Sequence, residues 1–207
     1  MVIVGDLFDL WFGHEHLSFE YQAPIVGRMR ELSERGLRMS YVEGNRDYGI
    51  GRYRDRIFAE VSDRGLLKNW GAHRVYFEHG DQINTRDRQY LAWRKISKNA
   101  AALWLMDHTP SSWLLRWANR MEQGMRQTNL KYKVKYPDVE VDLFCRRTAA
   151  AGSSSIIVFG HFHAEKEFTV EAGGRNVLCY NLPGWEAGFR YLTIPEDGKP
   201  VFEEIKG

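Results

Sequence analysis

The 207-residue sequence predicts an α/β fold carrying a helical insertion. Three observations predict it. The first forty or so residues alternate strand, helix and strand; several apolar runs end in a short polar, chemistry-bearing stretch; and residues 87–148 follow a helical pattern where the flanking chain does not.

Taken in order, Val2-Ile3-Val4-Gly5-Asp6 is a β-branched run ending in glycine and a carboxylate, which reads as a buried strand delivering one acid to the carboxyl edge of a sheet. Residues 7–17 read as a loop holding Asp9, Trp11, Phe12, His14 and His16. Ile25, Met29 and Leu32, spaced by four and three, predict a helix that either Ser18 caps or Pro24 opens, with Gly36 as its stop. Residues 37–42 form a second strand ending at Glu43-Gly44-Asn45. The three elements make a βαβ unit with a right-handed crossover.

Residues 50–61 read as a short helix. Residues 66–70 and 74–78 read as two strands turning at Gly71-Ala72, the second delivering His79-Gly80-Asp81. In the insertion, Leu91, Ile96, Ala100, Leu103, Leu105 and Met106 predict one long helix broken by Pro110. Trp113, Leu114, Trp117, Ala118 and Met121 predict a second, residues 126–136 a basic loop, and Pro137 opens a third with Val139, Leu143 and Phe144 on one face. Strands resume at 155–159, which ends in Gly160-His161-Phe162-His163. Closing antiparallel strands follow at 167–170, 176–180, 189–194 and 201–205, with turns at Gly173-Gly174 and Asp197-Gly198. One domain over 1–207, with a cap insertion at about 87–148, is the organisation expected.

Composition narrows the class. The hydrophobic fraction of 43% and charged fraction of 27% are those of a globular chain, and a net charge of +2 argues against a nucleic-acid partner. Cys145 and Cys179, in no CxxC pattern, read as reduced thiols of a cytosolic protein. No signal peptide and no membrane span are expected.

The strand ends supply Asp6, Asn45, His79, and the pair His161 and His163. Carboxylate, amide oxygen and imidazole suit Mn²⁺, Fe²⁺ or Zn²⁺, and the lack of thiolate argues against a structural zinc site. A carboxylate such as Asp6 can bridge two metals in the arrangement used for phosphate-ester hydrolysis, with Arg46 as a fork for a phosphate oxygen. Each piece has a plainer reading: Asp6 as a helix cap, Asn45 as turn chemistry, His79 as a surface histidine. Gly-His-x-His is more specific, since alternate residues leave a strand end on one side. Together, in this order, they point to a metal site. His14, His16, His73 and His108 match no ligand position.

Gly5-Asp6, Gly44-Asn45-Arg46-Asp47, His79-Gly80-Asp81 and Gly160-His161-Phe162-His163 resemble motifs two to five of the calcineurin-like metallophosphoesterases. Residues 5–13, Asn45-Arg46-Asp47, Thr85-Arg86-Asp87 followed by Tyr90 and Arg94, and Gly184-Trp185 resemble the UDP-2,3-diacylglucosamine hydrolase branch of lipid A synthesis. The resemblance implies a four-layer α/β/β/α sandwich with a dinuclear centre, most simply of Mn²⁺, and a helical cap. Asp6 would bridge the metals, Asn45, His79 and His161 would complete one site, and His163 would belong to the other. Asn45, Arg46 and His161 would act in catalysis. Asn45, Arg46, Asp87, His161 and a cap lysine, Lys133 ahead of Lys131, would face the substrate. That substrate would be a nucleotide-linked acylated sugar, met at the cytoplasmic face of the inner membrane with no protein partner. The Trp, Leu and Met faces of the cap suit acyl chains, and Arg116, Arg120, Arg126, Lys131, Lys133 and Lys135 an anionic surface. Packing the cap and a solvated charged face are the plainer readings of the same residues.

The family's opening Asp-x-His, which supplies ligands to the first metal, has no counterpart before Asp6. The expectation is a chain starting inside a longer protein. The alternative is a genuine form in which only the site of Asp6, Asn45, His79 and His161 would hold metal well; for the chain as it stands, weak or absent hydrolysis is expected. Another phosphodiester or nucleotide as substrate, and a non-catalytic scaffold, are the competing functions.

Overall fold

The computed structural model describes residues 1–14, 19–110, 112–114, 116–117, 120, 136–152 and 154–205. The protein is a mixed α/β chain with several open sheets, and it divides into two compact units: Met1–Asp63 with Arg86–Lys135, and Arg64–Thr85 with Tyr136–Gly207.

In the first unit, β1 (Val2–Ile3), β3 (Ser40–Val42) and β5 (Glu60–Ser62) form a parallel sheet in the order β1-β3-β5. Helix α1 (Ala23–Glu34) connects β1 to β3, as the predicted βαβ unit requires. Pro24 sits in its first turn behind the N-cap Gln22, and Ser18 lies outside the described residues. Gln22 is wholly buried; its Nε2 donates to the Leu10 carbonyl at 2.7 Å and its Oε1 accepts from the Phe19 N–H. The buried face is Val26 and Met29, whereas Ile25, expected inward, is 45% exposed. Gly36, at φ 95°, ends the helix: its N–H reaches Ser33, and Leu37 N–H reaches back to Leu32. Leu37 is thus consumed by the helix stop, and β3 starts three residues later than expected.

Two predictions fail here. The 7–17 loop contains a strand, β2 (Trp11–Phe12), paired in parallel with β4 (Asp47–Tyr48). Trp11 is completely buried, stacked on Tyr53 and edge-on to Tyr41, Phe8 and Phe58. Nor is 50–61 a helix. It is a 3-10 turn over Ile50–Tyr53, a turn with Asp55 at φ 64°, and then β5. Ile50, Tyr53, Ile57, Phe58 and Val61 are all buried in the same core as Trp11, so helix-like spacing arose from an irregular segment filling a core from one side.

The insertion also differs. The predicted long helix is two, α2 (Arg88–Ser97) and α3 (Ala100–His108). Asn99 separates them, its side chain accepting the Ala102 N–H as the N-cap of α3, a role asparagine favours over helix interior. Residues 112–114 and 116–117 are helical beyond Pro110. Leu114 packs with Leu10, Phe12 and Tyr48, and Leu103 and Met106 join them.

In the second unit, β6 (Leu66–Trp70), β7 (His73–Glu78), β8 (Ile156–Phe159), β9 (Lys166–Ala172) and β10 (Arg175–Asn181) form a mixed sheet ordered β6-β7-β8-β10-β9. β11 (Arg190–Thr193) and β12 (Val201–Glu204) form an antiparallel pair. All the strands expected in this unit are present. Helix α4 (Asp138–Ala151) follows Pro137, which is its N-cap. Its buried face is Val141, Cys145 and Ala149, set against Ile157, Phe159, Val170, Val177 and Cys179. Val139 and Leu143, expected inward, are exposed, while Phe144 packs from the margin. Both cysteines are buried free thiols, as predicted.

Candidate metal centre

The second unit brings two of the predicted ligands together by register alone. β7 and β8 run parallel with Glu78 opposite Phe159, so His79 and Gly160 leave the sheet side by side, and Gly160 N–H donates to the His79 carbonyl at 2.9 Å. A β-carbon on Gly80 would stand 3.1 Å from the Gly160 carbonyl oxygen, so glycine permits the close approach. The rings of His79 and His161 then lie 5.3 Å apart and 71° to one another, His79 buried and His161 partly open.

His161 and His163 do not alternate along a strand, as the period-two argument supposed. They follow the end of β8 in left-handed conformations, at φ 69° and 50°. His163 turns its Nδ1 onto the carboxylate of Glu186, in the short turn Trp185–Ala187. Such a partner fixes the orientation of an imidazole.

The first unit carries a candidate ligand of its own, the Asp6 carboxylate. Asp6 follows Gly5 out of β1, both with positive φ (52° and 80°). Its Oδ1 accepts the Arg46 N–H at 2.9 Å, while Asp47 Oδ2 accepts the Asp6 N–H at 2.8 Å. The two loops therefore exchange backbone-to-carboxylate hydrogen bonds. Asn45 sits partly buried between Gly44 and Arg46. The Arg46 guanidinium lies 3.8 Å from Asp6 and 3.1 Å from Asp9. Burial, and then the charge of Asp6, raise the Asp47 carboxyl to about 7 against the pull of the Gly44 and Asp6 N–H groups and Lys98.

Other predicted contacts have a structural setting. Asp87 is the N-cap of α2, accepting the Tyr90 N–H at 2.9 Å. Lys131 and Lys133 lie outside the described residues. Sequence reasoning missed Asp47, Lys98 and Glu186 as supporting groups. Asp47 had a signal, its place beside Arg46 in the quoted motif; Lys98, on the exposed-looking end of a helix, had none.

Carboxylate and imidazole donors without thiolate are of the kind that holds a divalent cation of catalytic type: Asp6 in the first unit, and His79 and His161 in the second. The fold and these donors define a metal-dependent hydrolase. No family model matches the chain. Over 203 residues it is 28% identical to the UDP-2,3-diacylglucosamine hydrolase of Azotobacter vinelandii, covering 96% of this chain and 82% of that one. The enzyme of the same name from Pseudomonas fluorescens is 28% identical over 204 residues, 96% of this chain and 79% of its own. Among solved structures, a single mutant of Vps29 from Entamoeba histolytica matches at 14% identity and a TM-score of 0.34, over 99% of this chain and 96% of that one. The chain is thus a metal-dependent hydrolase related to the UDP-2,3-diacylglucosamine hydrolases.

Proposed function

We propose that the chain hydrolyses the pyrophosphate bond of UDP-2,3-diacylglucosamine, giving UMP and 2,3-diacylglucosamine 1-phosphate. The observation that carries this reading is the similarity to hydrolases of that name along 96% of the chain. In this reading Asp6, Asn45, His79, His161 and His163 would hold divalent metal, taken as Mn²⁺, with one of the two sites incomplete in this chain. Bound metal would supply Lewis acidity toward the phosphoryl oxygens and would lower the pKa of water.

The chain's own residues orient the substrate. Arg46 offers a planar fork to a phosphate oxygen, and its present partner Asp9 is an exposed carboxylate that a phosphate can replace. Asn45, its neighbour in sequence, and His161 act with it, and Asp87 and a cap lysine complete the set. The acyl chains are assigned to the α2–α3 region and the helical residues after it. There Trp104 is 59% and Trp113 72% exposed, and Trp93, Ile96, Leu105 and Trp117 are exposed too. Apolar side chains presented in this density suit a lipid ligand. No described helix is long and apolar enough to cross a membrane, and the proposed working place is the cytoplasmic face of the inner membrane.

The test is release of UMP from UDP-2,3-diacylglucosamine by the purified chain with Mn²⁺, followed by ion-exchange chromatography. UMP release that stops on chelation supports the reading. Turnover of bis(p-nitrophenyl) phosphate without UMP release assigns another phosphodiester and overturns it.

A further inference from the structure

Asp47 lies outside every ligand and substrate role considered so far, yet it is completely buried in the first unit. One oxygen, Oδ2, collects three donors: the Asp6 N–H at 2.8 Å, the Gly44 N–H at 2.7 Å and the Tyr41 hydroxyl at 3.0 Å. The hydroxyl of Tyr41 in turn accepts the Leu7 N–H at 3.3 Å. The other oxygen, Oδ1, is buried with no hydrogen-bond partner.

The three donors come from different places. Asp6 and Leu7 follow β1, Gly44 precedes Asn45, and Tyr41 lies in β3 beneath both loops. Asp6 is in a left-handed conformation that a residue bearing a β-carbon adopts at a cost, so its backbone needs an external hold. The Asp47 carboxylate and the Tyr41 hydroxyl grip two consecutive N–H groups there. The same Oδ2 fixes the N–H of Gly44, one residue from the Asn45 amide.

We infer that Asp47 is a positioning residue, one buried carboxylate oxygen that sets the Asp6 carboxylate and the Asn45 amide in the geometry a shared cation needs, with Tyr41 as its lever onto Leu7. The inference rests on the reading of Asp6 and Asn45 as metal ligands.

An aspartate at 47 that served packing alone would alter stability and leave the affinity of the folded protein for metal unchanged. Positioning makes affinity itself depend on Oδ2. Asparagine retains an oxygen where Oδ2 lies and places its NH2 where Oδ1 has no partner, so Asp47→Asn is the partial rescue of Asp47→Ala. The probe is Mn²⁺ alone, titrated calorimetrically into the full chain at a temperature where circular dichroism shows each variant folded. Loss of outer partners of metal ligands weakens affinity about 10–100-fold, the loss expected for Asp47→Ala. Asp47→Asn and Tyr41→Phe are expected to fall between it and the unaltered chain. Asp47→Ala binding Mn²⁺ within twofold of the unaltered chain overturns the inference. Should that variant not fold, Asp47→Asn and Tyr41→Phe decide: a loss above twofold in either supports it, and both within twofold overturn it. Asp6→Asn separates the two levels. If it removes Mn²⁺ binding while the Asp47 variants bind normally, only the positioning role fails. If Asp6→Asn itself binds normally, the metal reading fails and this inference with it.

Discussion

Lys98 Nζ donates to the carbonyl oxygen of Gly44 at 2.5 Å and stands 3.7 Å from Glu43 Oε2, with 7% and 9% of the two side chains exposed. The C-cap residue of α2 is therefore bolted to the loop that carries Asn45 and Arg46, across 54 residues of sequence. Burial raises the Glu43 carboxyl and Lys98 opposes it, so the pair is mutually dependent.

Removing one partner leaves a buried charge uncompensated. Lys98→Met is expected to lower stability by about 3–5 kcal/mol, and adding Glu43→Gln to recover a large part of it. Urea unfolding midpoints of the two single variants and the double variant measure the coupling; additive losses would contradict it.

The imidazole pair makes a prediction about metal and heat. Mn²⁺ at one hundred times its dissociation constant is expected to stabilise the chain by about 2.7 kcal/mol, since the folded form alone binds it. His161→Asn should fold and lose most of that increment. Thermal scans with and without Mn²⁺, repeated after EDTA, provide the measurement, and an undiminished shift in the variant would remove His161 from the ligand set.

Tyr180 predicts an alkaline limit. Wholly buried, with its hydroxyl toward the Pro200 carbonyl, it has its pKa pushed up to about 12, by burial first and then by Glu167 and Cys179. An unfolded tyrosine titrates near 10, so the folded state holds this proton longer. The associated stability is fully present below about pH 10 and is lost as pH rises through about 12, by about 1.4 kcal/mol per pH unit between them. Tyr180→Phe should flatten the fall of urea midpoints over that interval by one proton's worth; an unchanged slope would contradict the assignment.

Gly13 predicts a steric limit in the β2–β4 pair. A β-carbon there would stand 2.0 Å from the Gly49 carbonyl oxygen, a backbone atom that cannot swing aside. Gly13→Ala is expected to cost about 3 kcal/mol or more, beyond ordinary overpacking. A melting temperature matching the unaltered chain would show that the loops part freely.

Sequence alone reached the strands that end in chemistry, because a β-branched run closed by glycine and a polar residue is a local pattern: β1, β3, β7 and β8 each deliver the residue expected of them. It did not reach β2 and β4. Two residues are too few for a period, and Trp11 reads as a loop residue until the aromatic cluster around it is known. Nor did it separate helix from irregular core at 50–61, where Ile50, Tyr53, Ile57 and Val61 keep helical spacing without a helix. The residue types of the candidate site were legible; the groups that hold them in place were not. Asp47 and Lys98 gain meaning only from burial and from partners on loops distant in sequence. The cap lysines and Ser18 fall outside the described residues, and the substrate contacts assigned to Asp87 and Arg46 stand as proposals.

The left-handed backbone at Asp6, His161 and His163 bears on how these positions can be interrogated. Alanine scanning assumes that a truncated side chain reports the loss of that side chain alone. In this region of φ a β-carbon carries a penalty of roughly 1–2 kcal/mol that asparagine and aspartate partly escape and glycine avoids. An alanine at 161 or 163 keeps the penalty and removes the contacts that offset it, so any measured effect mixes loss of the imidazole with a relaxed loop. Asparagine at 6 and asparagine or glycine at 161 and 163 are the cleaner controls, and disagreement between alanine and asparagine variants at one position would measure how much of the loop's shape is held by its own side chain.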